Sequence, residues 1–180
     1  MNNIREMIRK MVFSALFLAL GLLLPFLTGQ IPQIGSKLSP MHIPVLLCGF
    51  VCGWKWGLMV GAVVPILRSV LFGMPPMMPT AAAMAFELAA YGAAAGVLYK
   101  LLPKKAANVY AALIGAMVIG RIVWGVASFA LNSAMGAQFG WQAFAAGAFV
   151  NAVPGIILHI AIIPPIVLAL RRAGVVKKEG

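Results

Sequence analysis

Residues 11–27 read MVFSALFLALGLLLPFL, a run with no charged side chain, and Arg5, Arg9 and Lys10 stand just before it. A helix that crosses a bilayer needs about 20 mostly apolar residues, and Lys and Arg collect on the cytoplasmic flank of a span. The run is therefore read as a first span entered from the cytoplasm. The start, MNNIREMIRKM, has the outward look of a signal peptide. No small-x-small cleavage site closes the run, however, and it is long for a signal h-region.

The rest of the chain repeats this pattern. Of its 180 residues, 63% are hydrophobic and 9% are charged, with a mean hydropathy of +1.01. Soluble domains carry roughly a quarter charged residues. The spacing predicts an all-α integral membrane protein, a bundle of six spans at about 11–28, 41–54, 57–73, 80–102, 106–131 and 142–170, all in one membrane domain. Span two is short for a full crossing and ends at Trp54-Lys55-Trp56, an aromatic and basic cluster suited to the interface. The prolines of Gly73-Met74-Pro75-Pro76-Met77-Met78-Pro79 close span three, and Thr80 is a candidate N-cap for span four. Span six, with Pro154 and Pro164-Pro165, is expected to tilt or kink.

The net charge of +11 does not signal a nucleic-acid partner, because the basic residues sit in short clusters between apolar runs rather than on a solvated face. On the six-span reading eleven of them fall on the side of the termini, Lys37 alone falls opposite, and Arg68 and Arg121 fall within spans. The bias places both termini in the cytoplasm. Cys48 and Cys52, one helical turn apart in an apolar run, are read as small packing residues, since a metal site needs more ligands.

Ionisable groups inside spans are costly, by roughly 2.5–3.5 kcal/mol each on insertion scales, and they usually face a cavity or a partner. Here they are Arg68, Glu87, Arg121 and His159, with His42 at the start of span two. The chain has no aspartate, and its other carboxylates, Glu6 and Glu179, lie near the ends. Counting at about 1.5 Å per residue puts Arg68, Glu87, Asn151 and Arg121 in the outer half of the bilayer, where they would line one polar cavity open to the outside. His159 falls deeper on this count and reads as an interhelical hydrogen-bonding residue. Glu87 can neutralise only one of the two arginines, so a positive group is left for water or a ligand bearing a carboxylate, phosphate or electron-rich ring. Trp124 is placed to stack on a flat ligand, whereas Trp141 reads as an interface anchor.

Small residues recur four apart, as Ala15/Ala19, Gly49/Gly53, Gly57/Gly61 and Gly92/Gly96, a spacing that lets membrane helices approach closely. The chain has no Gly-x-x-x-x-Gly-Lys-Ser/Thr motif, so it does not itself draw on ATP. Neither a Ser-His-Asp set, a His-Glu-x-x-His pair nor a carboxylate pair is present for catalysis. The reading is a small-solute binder with no catalytic residues, metal or cofactor.

Residues 38–50, LSPMHIPVLLCGF, together with Arg68 and the Gly73-Met74-Pro75-Pro76 turn, resemble the substrate-binding S component of energy-coupling factor (ECF) transporters. The resemblance implies capture of a vitamin or coenzyme precursor from outside, working with a transmembrane coupling subunit and two ATP-binding subunits. It implies docking through an Ala-x-x-x-Ala face of span one, which Ala15 and Ala19 match. It also places the ligand among the loops after spans one, three and five and the outer halves of spans four to six, where Glu87, Arg121 and Asn151 fall. His42 stands where some members, riboflavin-type ones among them, carry an acidic residue before Ile-Pro. The similarity is greater to members proposed for pantothenate, pyridoxine or hydroxymethylpyrimidine, and the positive charge of Arg68 and Arg121 favours pantothenate. The alternatives are a stand-alone proton-coupled carrier relaying through Glu87 and a histidine, against which the lack of an internal repeat speaks, and a membrane enzyme or assembly factor.

Overall fold

A computed structural model describes residues 2–28, 38–103, 105–137, 140–147 and 152–175, and no strand occurs among them. Six helices carry the fold. They are α1 (Asn2–Leu23, continued by a 3-10 turn over Leu24–Thr28), α2 (His42–Cys52), α3 (Trp54–Phe72), α4 (Ala82–Leu101), α5 (Ala106–Ala134) and α6 (Val153–Arg172). Five of them are long and apolar enough to cross a membrane. The sixth, α2, has 11 residues and is about 16 Å long, roughly half of a hydrocarbon core near 30 Å. The expected all-α bundle of six helices is present, as five long helices and one short one, the second, which the sequence already marked as short for a full crossing.

The reason is Gly53. Its φ of 93° lies in the region that side chains avoid, so the helix stops there and α3 starts at the next residue. A helix that is apolar all round is stable only when enclosed, and α2 buries nine of its residues among α1, α3, α4 and α6. Round it, α1 packs on α3, α3 on α4, α4 on α5 and α5 on α6.

The glycine pairs read in the sequence line the tightest seam of the bundle. A Cβ on Gly49 or Gly57 would strike the Gly92 carbonyl, one on Gly61 the Leu88 carbonyl, and one on Gly96 the backbone of Trp54. Here α4 lies with its backbone directly against those of α2 and α3, an approach that only small residues permit.

The ends of the helices also differ from expectation. α1 is helical from Asn2, because Glu6 and Lys10, one turn apart and 2.9 Å from each other, support the turns ahead of the apolar run. Thr80 does not cap α4. It lies in a π-helical turn, Met77–Ala81, and the N-cap position is held by Ala81, whose side chain makes no cap hydrogen bond. In place of one helix over 142–170, the described residues hold a short helix, Trp141–Ala145, and then α6 with Pro154 in its first turn. Asn108, at the start of α5, donates from its side chain to the Pro103 carbonyl across the α4–α5 turn.

The start of α1, the α2–α3 turn and the end of α4 share one end of the bundle, where they enclose a common cavity. The end of α6 reaches the same end, with Arg171 beside Tyr99. At the other end Phe26 and Phe72 pack edge to face, with ring centroids 5.0 Å apart.

Gly92→Leu is expected to destabilise the protein by about 3 kcal/mol, the upper part of the overpacking range, because its neighbour is backbone and has no rotamer to yield. Gly140, which has open space around it, is the control, and Gly140→Ala should stay within about 0.5 kcal/mol. Chemical unfolding in detergent micelles measures both.

Candidate functional site

α4 presents Glu87 to the interior, where its side chain is 2% exposed. The carboxylate is met from two other helices. Arg121 Nη1 on α5 lies 3.0 Å from Glu87 Oε1, and His42 Nε2 at the start of α2 lies 3.4 Å from the same oxygen. One turn along α4, the Tyr91 hydroxyl faces the carboxylate as well. α6 adds His159, whose ring stacks nearly parallel on His42 at 5.8 Å, while Tyr91 meets His42 edge-on at 5.1 Å. His159 Nε2 in turn lies 3.4 Å from the Ser39 carbonyl, and Ser39 holds a φ of 47° just ahead of α2.

Several buried polar atoms of this cluster lack a hydrogen-bond partner among the described residues. They are both ring nitrogens of His42, Glu87 Oε1 and Arg121 Nε. For Oε1 this stands beside the short distances to Arg121 and His42. The charges are in Coulombic contact, but the N–H groups do not point along the oxygen lone pairs, and misaligned hydrogen bonds are weak. Such unmet polarity inside an apolar bundle is costly and is usually answered by something else, water or a ligand.

Next to the cluster is an aromatic wall. Arg121 Cζ lies 5.9 Å from the centre of the Trp124 ring, Trp124 stacks on Phe144 at 6.2 Å, and Trp141 meets Phe144 at 5.3 Å. Glycines make room for these rings: a Cβ on Gly147 would enter Trp124, and one on Gly125 would enter Phe144. Trp141 is itself strongly exposed.

The residues singled out in the sequence thus separate into groups. His42, Glu87 and Arg121 come together, and Trp124 adjoins them. Arg68 does not join them, since its guanidinium donates to the Leu22 carbonyl and lies over the rings of Phe26 and Phe72, at 4.8 and 5.3 Å, where α1 meets α3. Asn151 lies outside the described residues. Ala15 and Ala19 are exposed on the outer face of α1. Cys48 and Cys52 are free thiols buried in α2, with Cys48 Sγ 3.6 Å from Ser14 Oγ. Among the described residues no group of three or more His, Cys, Asp or Glu is arranged to hold a metal ion.

Sequence reasoning missed His159 as part of this cluster. Counting inward from residue 142 placed it deep in a span, but α6 starts at Val153, which puts His159 only about 9 Å from the start of its helix. Tyr91 had a readable signal, its i, i+4 spacing from Glu87. Phe144 had none.

If the carboxylate and guanidinium stabilise one another, removing either should cost more than removing the second after the first. Glu87→Gln and Arg121→Gln are each expected to lower stability by about 2 kcal/mol, and the double variant by clearly less than their sum. Unfolding of the three variants in micelles measures the coupling, and additive losses would mean that the pair is not energetically linked.

The family model for the substrate-specific component of ECF transporters matches residues 9–167, which include every residue of the cluster. No curated protein and no solved structure matches the chain. With a match over most of its length and a bundle of apolar helices to go with it, the chain belongs to the family of substrate-specific components of ECF transporters.

Proposed function

We propose that this multi-pass membrane protein is the high-affinity binding subunit for uptake of one water-soluble vitamin or coenzyme precursor. In this reading both termini lie in the cytoplasm, and the solute enters from the opposite side to the buried cluster of His42, Glu87 and Arg121, beside Trp124. The observation that carries the reading is the set of misaligned or unpartnered polar atoms in that cluster. A solute with donors and acceptors would complete their hydrogen bonds and displace water from them. The inside placement of the termini is supported by the basic residues gathered at that end of the bundle.

Pantothenate is the first candidate, ahead of pyridoxine and hydroxymethylpyrimidine, because its carboxylate suits Arg121. Its case now rests on Arg121 alone, as Arg68 is engaged at the α1–α3 contact. Asn151 is kept as a further candidate contact. The chain has no ATP-binding motif, so energy would come from a transmembrane coupling subunit and two ATP-binding subunits, docked on the face of α1 that carries Ala15 and Ala19. The carboxylate–imidazole contact between Glu87 and His42 would also serve a proton-driven carrier. Family membership speaks against that reading, and dependence of uptake on co-expressed ATPases separates the two.

Calorimetric titration of the purified protein against a panel of vitamins tests the proposal. One member is expected to bind without ATP, and Arg121→Ala should weaken it by about 1.5–3 kcal/mol, the value of a charge-assisted hydrogen bond in a desolvated site. In the same assay Ala15→Trp and Ala19→Trp should bind normally yet abolish uptake in cells that carry the other subunits. Failure of every vitamin to bind a well-folded sample would sink the proposal.

A further inference from the structure

At the opposite end of α4 from Glu87 the bundle holds a second polar feature that solute binding does not use. A cavity of about 290 Å³ opens between the first turns of α1, the α2–α3 turn and the last turn of α4. Gly53, where a Cβ would stand in open space, is part of its wall. Four cations converge on it from three elements: Arg9 and Lys10 of α1, Lys55 of α3 and Lys100 of α4. One acid, Glu6, is present and is paired with Lys10 at 2.9 Å. The remaining charge is therefore strongly positive.

The backbone adds to this field. α3 begins at Trp54 in the cavity wall, and the first N–H bonded within this turn is that of Gly57, to the Gly53 carbonyl. The N–H groups of the turn before it have no acceptor inside the helix, and a helix start carries positive potential. The end of α2 brings carbonyls of the opposite sense, but four side-chain cations against one acid decide the sign. Trp54 and Trp56 complete the wall as amphipathic rings suited to the level of lipid headgroups. Cations that only marked topology would spread apart into solvent. Here all four line one cavity, Arg9 and Lys10 half-buried and Lys55 and Lys100 exposed.

We propose that this cavity binds an anionic phosphate group, supplied either by the headgroup of an acidic phospholipid or by free phosphate. Basic pockets between membrane helices at the headgroup level are suited to such ligands.

The test uses the full chain in detergent, titrated with phosphatidylglycerol, with phosphatidylcholine of the same acyl chains, and with inorganic phosphate, with adducts counted by native mass spectrometry. Phosphatidylglycerol should be retained about tenfold or more over phosphatidylcholine. The double variant Arg9→Gln/Lys100→Gln should bring retention down to the phosphatidylcholine level. Arg5→Gln/Arg172→Gln, which removes the same charge from the same end but outside the cavity wall, should leave it intact. A phosphate adduct that depends on Arg9 and Lys100, without preference between the lipids, identifies free phosphate as the ligand. Lys55→Gln serves as a second probe should the first double variant not be recovered as a monodisperse protein. Equal retention of both lipids with no phosphate adduct overturns the proposal, as does an equal loss in the two double variants.

Discussion

Glu87 is the one buried carboxylate among the described residues, and its burial sets terms that the surrounding helices must meet. A carboxylate taken out of water without compensation costs several kcal/mol. Compensation comes from α2 through His42 and from α5 through Arg121, with Tyr91 on α4 itself. His159 then ties α6 to the same point through its stack on His42. Four helices are thus held in register around one oxygen. Hydrophobic burial between helices, by contrast, gives no comparable preference for one register over another in lipid.

This arrangement requires α4 to stand very close to its neighbours, and the glycine seam makes that possible. Gly49, Gly57, Gly61, Gly92 and Gly96 bring backbones together where any larger residue would hold them apart. The two membrane-buried arginines are accommodated by different means. Arg121 meets an opposite charge, whereas Arg68 is held by a carbonyl and two aromatic faces. The second solution satisfies a guanidinium without using a carboxylate, of which the described residues hold one buried copy.

Much of this was legible in the sequence, for identifiable reasons. Apolar runs bounded by cations gave the helices, Trp54-Lys55-Trp56 gave the end of the short one, and four-residue glycine spacing gave the seam. Glu87 stood out as the one acid within a span, with Arg68 and Arg121 as its two candidate partners. Arg121 is the one that meets it, and His42 joins them without having been named as a partner. The start of the last helix was not legible, because residues 142–152 are as apolar as a span while Pro154 is compatible with both a kink and a helix start. That error moved His159 away from the cluster it belongs to. The partner of Arg68 was equally hidden, since a backbone carbonyl has no sequence signature.

The claim that matters most is that the polar cluster around Glu87 holds a small solute. The most direct measurement is chemical identification, by mass spectrometry, of what the denatured protein releases after purification from cells. The expected result is one water-soluble, vitamin-like compound in near-stoichiometric amount from the unaltered protein, and its loss from Arg121→Ala protein that remains folded. Recovery of the same compound in the same amount from folded Arg121→Ala protein would contradict the site. A well-folded protein that carries no small solute, even from cells supplied with the full vitamin panel, would contradict the function.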